Sequence, residues 1–346
     1  MYLYEGKNLE TSRLAHRQEK NTSFIFQNTP QLRFKTSVIL FVNVLFLVLM
    51  LILQIILGIG PGLAHVDEVT YLTYSSNSCS NQLTVSQIIG RSYYCFVKVL
   101  NFEIAFILTI QCGLYLLTSF IIYSRLKDMC TTSYSYFLLI LLVFDPYRAH
   151  LALHVLKETF IILGVILLQK NVIVGFLLTT AFRFYSFIYL LIFLRARAMV
   201  FVIFFFTAII MIFQPSIISH ILMSGNADMQ FRDFDLVPTF NDFGLAGDLL
   251  RAMVWPIFLI SGTFLFISPS ILFLPVALGG LFTLLFLLKM KPPISVFLGP
   301  FMVLALLALI APGFTTFTRY AYPVVIALPL LVLGVTRSSR HAHRGS

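Results

Sequence analysis

The sequence predicts an all-α, polytopic integral membrane protein, and three observations carry that prediction. Of 346 residues, 59% are hydrophobic and only 11% charged, against about 25% charged in soluble domains. No soluble fold of this length buries so much apolar surface, because some surface stays exposed at any size. The nearly uncharged runs 36–60, 102–124, 199–219 and 270–290 are each long enough to cross roughly 30 Å of hydrocarbon at about 1.5 Å per residue. The cations gather beside these runs, the pattern of cytoplasmic loops. The net charge of +10 is therefore read as a membrane signature, and nucleic acid is not an expected partner.

Residues 1–35 carry Lys7, Arg13, Arg17, Lys20, Arg33 and Lys35 without an early apolar run, which reads as a cytoplasmic tail and not a cleaved signal. Residues 36–335 form one membrane-embedded helical domain with external loops 61–101 and 220–255. Residues 336–346 form a second cytoplasmic tail. The first helix, 36–60, delivers the first loop outside, and the second returns to Arg125 and Lys127. A third apolar run, 133–144, leads out to Asp145, Pro146, Tyr147 and Arg148. A fourth, 151–169, comes back to Lys170.

The stretch 171–194 is interrupted by Arg183, and that interruption sets the rest. Two short halves turning near Arg183 keep Arg195 and Arg197 inside, with Lys289, Lys291, Arg337, Arg340 and Arg344. Asp228, Asp233, Asp235, Asp242 and Asp248 then fall outside. Half-helices need protein or a wet cavity around them, so the break predicts a cavity. The count is about ten crossings, some half-length. Cys79 and Cys95 share the first external loop, where a disulfide or two free thiols are equally compatible with the sequence.

Ionisable groups inside spanning segments are costly and usually line a site. Asp67 and Glu68 follow the first helix, and a carboxylate there can deprotonate an acceptor hydroxyl; the plainer reading is a solvated loop. Lys157 and Glu158 open the fourth crossing, a place suited to a phosphate or to an interfacial lysine with its neighbour. His150, His154 and Glu158 are four apart and share a helix face, but that spacing alone does not make a zinc site, and no metal cofactor is expected. Arg183 lies amid apolar residues, where it requires a partner or water; flanking aromatics offer cation–π support. Arg319 and Tyr320 are read as a rigid turn before the last helix, with Pro323 in its first turn. Arg251, just before Trp255, occupies an interfacial position where lipid headgroup contact is the plain explanation.

The order of these motifs resembles the GT-C-like membrane glycosyltransferases and the Wzy-type, O-antigen oligosaccharide-repeat polymerases of bacteria. His65-Val66-Asp67-Glu68 with Tyr71 is similar to the first-loop Asp-Glu that supplies a catalytic carboxylate in GT-C enzymes. Leu156-Lys157-Glu158 looks like their Leu-Lys-Asp/Glu. Arg183-Phe184 resembles a mid-run Arg-Pro with the proline replaced, and Thr318-Arg319-Tyr320 with Pro323 resembles a C-terminal arginine turn. The first loop, about 40 residues, is shorter than is usual in that family.

The resemblance implies a glycosyltransferase of the inner membrane that acts at its outer face on polyprenyl phosphate- or pyrophosphate-linked oligosaccharide. A polysaccharide polymerase is the expected form, with membrane lipid and a chain-length regulator protein as partners. Asp67 or Glu68 would be catalytic, and Lys157, Arg183 and Arg319 would hold phosphate. Glu158, His154, Arg251 and Tyr320 complete the candidates. Two other classes fit the same cations: a flippase for lipid-linked sugars, and a membrane scaffold without catalysis. The absence of a P-loop, a nucleophile elbow or a dinucleotide fingerprint implies a donor that arrives in the membrane.

Overall fold

A computed structural model describes residues 35–61, 68, 71–72, 93, 95–101, 103–127, 133–193, 244–266, 274–290, 294–311 and 313–344. These residues are helical with no strand among them. The elements are α1 (Thr36–Ile56), α2 (Ile104–Leu126), α3 (Ser133–Val143), α4 (Pro146–Ala152), α5 (Glu158–Leu168) and α6 (Val172–Phe182). A 3-10 segment (Phe184–Phe193) follows, then α7 (Gly244–Ser261), α8 (Leu274–Met290), α9 (Ile294–Ile310) and α10 (Phe314–Arg344).

Three stretches, Thr36–Ile56, Ile104–Leu126 and Phe314–Val332, are long and apolar enough to cross a membrane. Ten crossings are not shown: α5 and α6 have only 11 residues each. Segments 1–34, 62–67 and 194–243, with the residues Asp67, Cys79, Arg195, Arg197, Asp228, Asp233, Asp235, Asp242 and Lys291, lie outside the described residues.

Helix α1 turns most of its Val, Leu and Ile side chains outward and buries one line, Ile39, Asn43, Leu47 and Gln54. It stops where Gly58 takes a φ of +70°, a left-handed position that glycine occupies without a Cβ clash. Leu47 packs with Tyr115, Ala149 and Leu153, which joins α1, α2 and α4. Near the other end of α1, Ile39 shares an apolar cavity with Tyr123 and Tyr136, so α1 and α2 run antiparallel. Helix α10 is the opposite of α1, with almost every residue from Phe317 to Leu330 shielded by its neighbours.

Helices α2 and α5 run in the same direction. At one end, the Gln111 Nε2 donates to the Leu156 carbonyl at 2.7 Å. At the other, the Arg125 Nη1 donates to Gln169 Oε1 at 2.7 Å and to the Ile166 carbonyl at 3.3 Å. Arg125, Lys127 and Lys170 therefore mark one end of the bundle, and Glu158 points away from it. Helix α6 returns beside α5. Gly164 and Gly175 let the two backbones touch, since a Cβ on Gly175 would lie 2.5 Å from the Leu168 nitrogen.

Three sequence expectations are corrected here. The turn at Asp145–Arg148 is not at the outer surface. Helix α3 is short, and Arg148 meets Ser119, partway along α2, so the chain turns inside the bundle. The fourth run is not one helix, because the chain opens at Leu153–Lys157 between α4 and α5. His150, His154 and Glu158 thus share no helix face; the Val155 N–H goes to Glu68 instead of to a helical carbonyl. Finally, α10 begins at Phe314, so Arg319 and Tyr320 lie within a helix rather than on a turn, and Pro323 is interior. Its missing N–H leaves the Arg319 carbonyl without the usual helical donor.

Candidate functional site

The α5–α6 hairpin dictates the centre of the site. Because its two helices are equal in length, the first residue of α5 meets the residue that ends α6. Arg183 adopts an extended conformation (φ −156°, ψ 111°), which stops the helix and turns its side chain onto Glu158. The Arg183 Nη2 donates to Glu158 Oε1 at 2.7 Å. From α10, the Arg319 Nε lies 3.8 Å from the same oxygen. Tyr320 packs under Arg183, the guanidinium carbon 3.9 Å from the ring centroid. Its carbonyl accepts from the Tyr189 hydroxyl at 2.5 Å. Glu158 and Arg183 are buried, and Glu158 Oε2 has no hydrogen-bond partner among the described residues.

Depth follows from helix length. Eleven residues of α5 rise about 16 Å, so the cluster lies about half the thickness of a roughly 30 Å hydrocarbon core from the Arg125–Gln169 end of the bundle. Taking a carboxylate and a guanidinium out of water costs several kcal/mol per ion. Their attraction offsets that only with close geometry, which the 2.7 Å contact supplies. Such a pair is weak evidence for stability. At this depth it is stronger evidence for a function.

A second carboxylate enters from the 61–101 loop. Glu68 is fully buried. Its Oε1 accepts from the Val155 N–H at 2.7 Å, and its Oε2 lies 3.0 Å from His154 Nδ1. Beside it, the Gln111 Nε2 also donates to the Tyr93 hydroxyl at 2.7 Å. Lys157, the residue before α5, places its Nζ 5.8 Å from the centroid of Tyr71. Cys95, on the same loop, is disulfide-bonded, whereas Cys112 on α2 is a free thiol.

Of the sequence candidates, the structure brings Glu158, Arg183, Arg319 and Tyr320 into one cluster. Glu68 and His154 form a second group, joined to the first by the short backbone 154–158. Arg251 is built into a different helix pair. Its Nη2 donates to Asp248 Oδ1 at 3.0 Å and to the Leu309 carbonyl at 3.1 Å, and its guanidinium lies over Trp255. It is buried, so headgroup contact does not explain it. Asp67 lies outside the described residues. Among the described residues, no three histidine, cysteine or carboxylate side chains gather as metal ligands do.

Sequence reasoning missed Gln111, Tyr93 and Tyr189. It also missed a third polar group, nearer the Arg125 end of α2, where the Arg148 Nη2 donates to Ser119 Oγ at 2.7 Å and to the Val143 carbonyl at 2.8 Å. Asp145 caps α4 by accepting from the N–H groups of Tyr147 and Arg148, and Tyr322 donates to its other oxygen. The signals were present: Gln111 is an amide inside an apolar run, and Asp145-Pro146 is a helix-start signature.

Compared with protein-family models, with curated proteins and with solved structures, the chain matches none.

Proposed function

We propose that the protein is a membrane glycosyltransferase that takes a sugar or oligosaccharide from a polyprenyl phosphate or pyrophosphate, at the outer face of a bacterial inner membrane. One observation carries this reading: two guanidinium groups from separate elements converge on a single buried carboxylate. A phosphate head of a membrane-borne donor suits that place, because guanidinium groups bind phosphate through paired N–H donors. Arg183 and Arg319 would offset the charge that grows on the leaving phosphate. Lys157 would add a point charge at the rim, and Tyr320 would hold Arg183 in plane. Arg251, in another helix pair, would position α7 and α9 and not contact donor.

The end of the bundle at which the cluster lies agrees with this use. It lies opposite Arg125, Lys127 and Lys170, which the positive-inside rule assigns to the cytoplasm. The disulfide-bonded Cys95 sits with the loop that supplies Glu68, as an oxidising outer compartment favours. A repeat-unit polymerase, with a chain-length regulator as its partner, is the form we favour. No metal is assigned a step.

The test uses cells carrying the protein with Arg319→Glu or Arg183→Glu, checked for normal insertion. Long-chain surface glycan should disappear from a gel while single repeats remain. An unchanged ladder sinks the proposal. The Arg148–Asp145–Tyr322 group, further toward the inner side, favours a second reading, a transporter of the same lipid-linked sugars, since alternating access needs polar groups along the whole path. Flipping of a fluorescent lipid-linked sugar in liposomes, with no change in glycan length, would select transport.

A further inference from the structure

We propose that His154 is the group that takes the acceptor proton during transfer, and that Glu68 is the positioning residue that holds it to this task. The inference rests on the glycosyl-transfer reading above. Glu68 grips two consecutive residues at once, Val155 through its backbone N–H and His154 through Nδ1. A bidentate grip of this kind fixes both the ring orientation and the tautomer. With the Nδ1 proton turned toward the carboxylate, the basic lone pair lies on Nε2.

The same grip argues against direct base chemistry by Glu68. Both of its oxygens are engaged by N–H groups of the α4–α5 opening, so the imidazole is the better placed proton acceptor. His154 also lies in the right segment. Only Val155, Leu156 and Lys157 separate it from Glu158, so the imidazole and the arginine cluster are held by one break in the chain. His150 fixes the ring from another side, its centroid 4.3 Å away at an interplanar angle of 61°. Among the described residues, the charged and titratable groups in contact with it include Glu68 and His150, with Lys157 and Glu158 three and four positions further along the chain.

The step balances as a substitution at the sugar carbon. The bond from that carbon to the donor phosphate oxygen breaks, and its electron pair leaves with the phosphate, held by Arg183 and Arg319. A bond forms from the carbon to the acceptor oxygen. The acceptor proton passes to Nε2 of His154, giving an imidazolium that faces Glu68 and later releases the proton to water. No oxidant or metal is needed.

The test uses the full-length protein in proteoliposomes, with the lipid-linked oligosaccharide fraction extracted from the native host. Release of free polyprenyl pyrophosphate is the readout of transfer, and binding of polyprenyl pyrophosphate alone is the readout of the arginine cluster. His154→Gln should lower release about 100-fold or more and leave pyrophosphate binding within about twofold. Glu68→Gln should lower release less and move the rising limb of the pH–rate profile, and Glu68→Asp should restore much of the rate. Nitrogen NMR of the imidazole reports folding and tautomer independently of activity: the Nδ1–H signal should change in Glu68→Gln. Full release by His154→Gln, or a pH profile that Glu68→Gln leaves unmoved, overturns the inference while leaving the transfer reading intact. A wild-type protein that neither binds pyrophosphate nor releases it overturns both.

Discussion

Among the described residues, the buried groups around Arg148 and Arg183 are built in opposite ways. Arg148 has its carboxylate close in sequence: Asp145 is three positions earlier and the carbonyl that Arg148 holds belongs to Val143, while Ser119 of α2 and Tyr322 of α10 close the group. Its guanidinium rests on Tyr115, 4.6 Å from the ring centroid. These contacts tie the turn between α3 and α4 to α2 and α10. Arg183, by contrast, finds its carboxylate 25 positions earlier and its aromatic support on α10. The first group makes the fold, and the second is made by it. A charge that satisfies its own turn explains itself. A charge whose carboxylate comes from a distant element calls for another reason.

This contrast can be broken by experiment, starting where the effect is greatest. Arg183→Glu places a second anion against Glu158 and should abolish turnover, by about 100-fold or more, measured as pyrophosphate release. Arg148→Ala should do the reverse: lose about 3 kcal/mol of stability, read by denaturation in detergent, while the activity per folded molecule remains. Equal losses of activity from the two arginines would erase the distinction and favour the transport reading. Gly175→Val pushes a side chain onto the Leu168 backbone and should cost about 1–3 kcal/mol. It should also lower activity, because the hairpin sets the meeting of Glu158 with Arg183. Gln111→Leu removes the link to Tyr93 and Leu156 and should cost only about 0.6 kcal/mol, detectable as a small shift in the melting temperature.

Much of the site was legible because burial of a charge in an apolar run is a strong signal. Arg183 announced both the end of α6 and the importance of its own side chain. Its partner did not. Nothing in the chain says that Glu158 rather than Glu68 answers it; that depends on α5 and α6 having equal lengths. Arg319 was misplaced on a turn because Pro323 was taken for a helix start. Packing around α10 overrides the proline, and Tyr320 is positioned by the resulting helix. The opening at Leu153–Lys157 was invisible for a related reason. An apolar periodic run reads as helix unless a distant group competes for its backbone, and here Glu68, 87 positions away, takes the Val155 N–H.

The shortness of α5 and α6 has an electrical consequence. A membrane potential drops across whatever insulating thickness remains, and beneath this cluster that is about 16 Å of helix rather than the full roughly 30 Å. On the proposed reading, with water above the cluster, the field under Glu158 and Arg183 would be concentrated about twofold. A full charge crossing the membrane exchanges about 2.3 kcal/mol per 100 mV, and here that drop would fall across half the distance. A phosphate arriving from the outer side and a proton leaving His154 would both move above this steep step. De-energising the membrane would then act on the thin floor of the bundle and leave the proposed chemistry above it untouched.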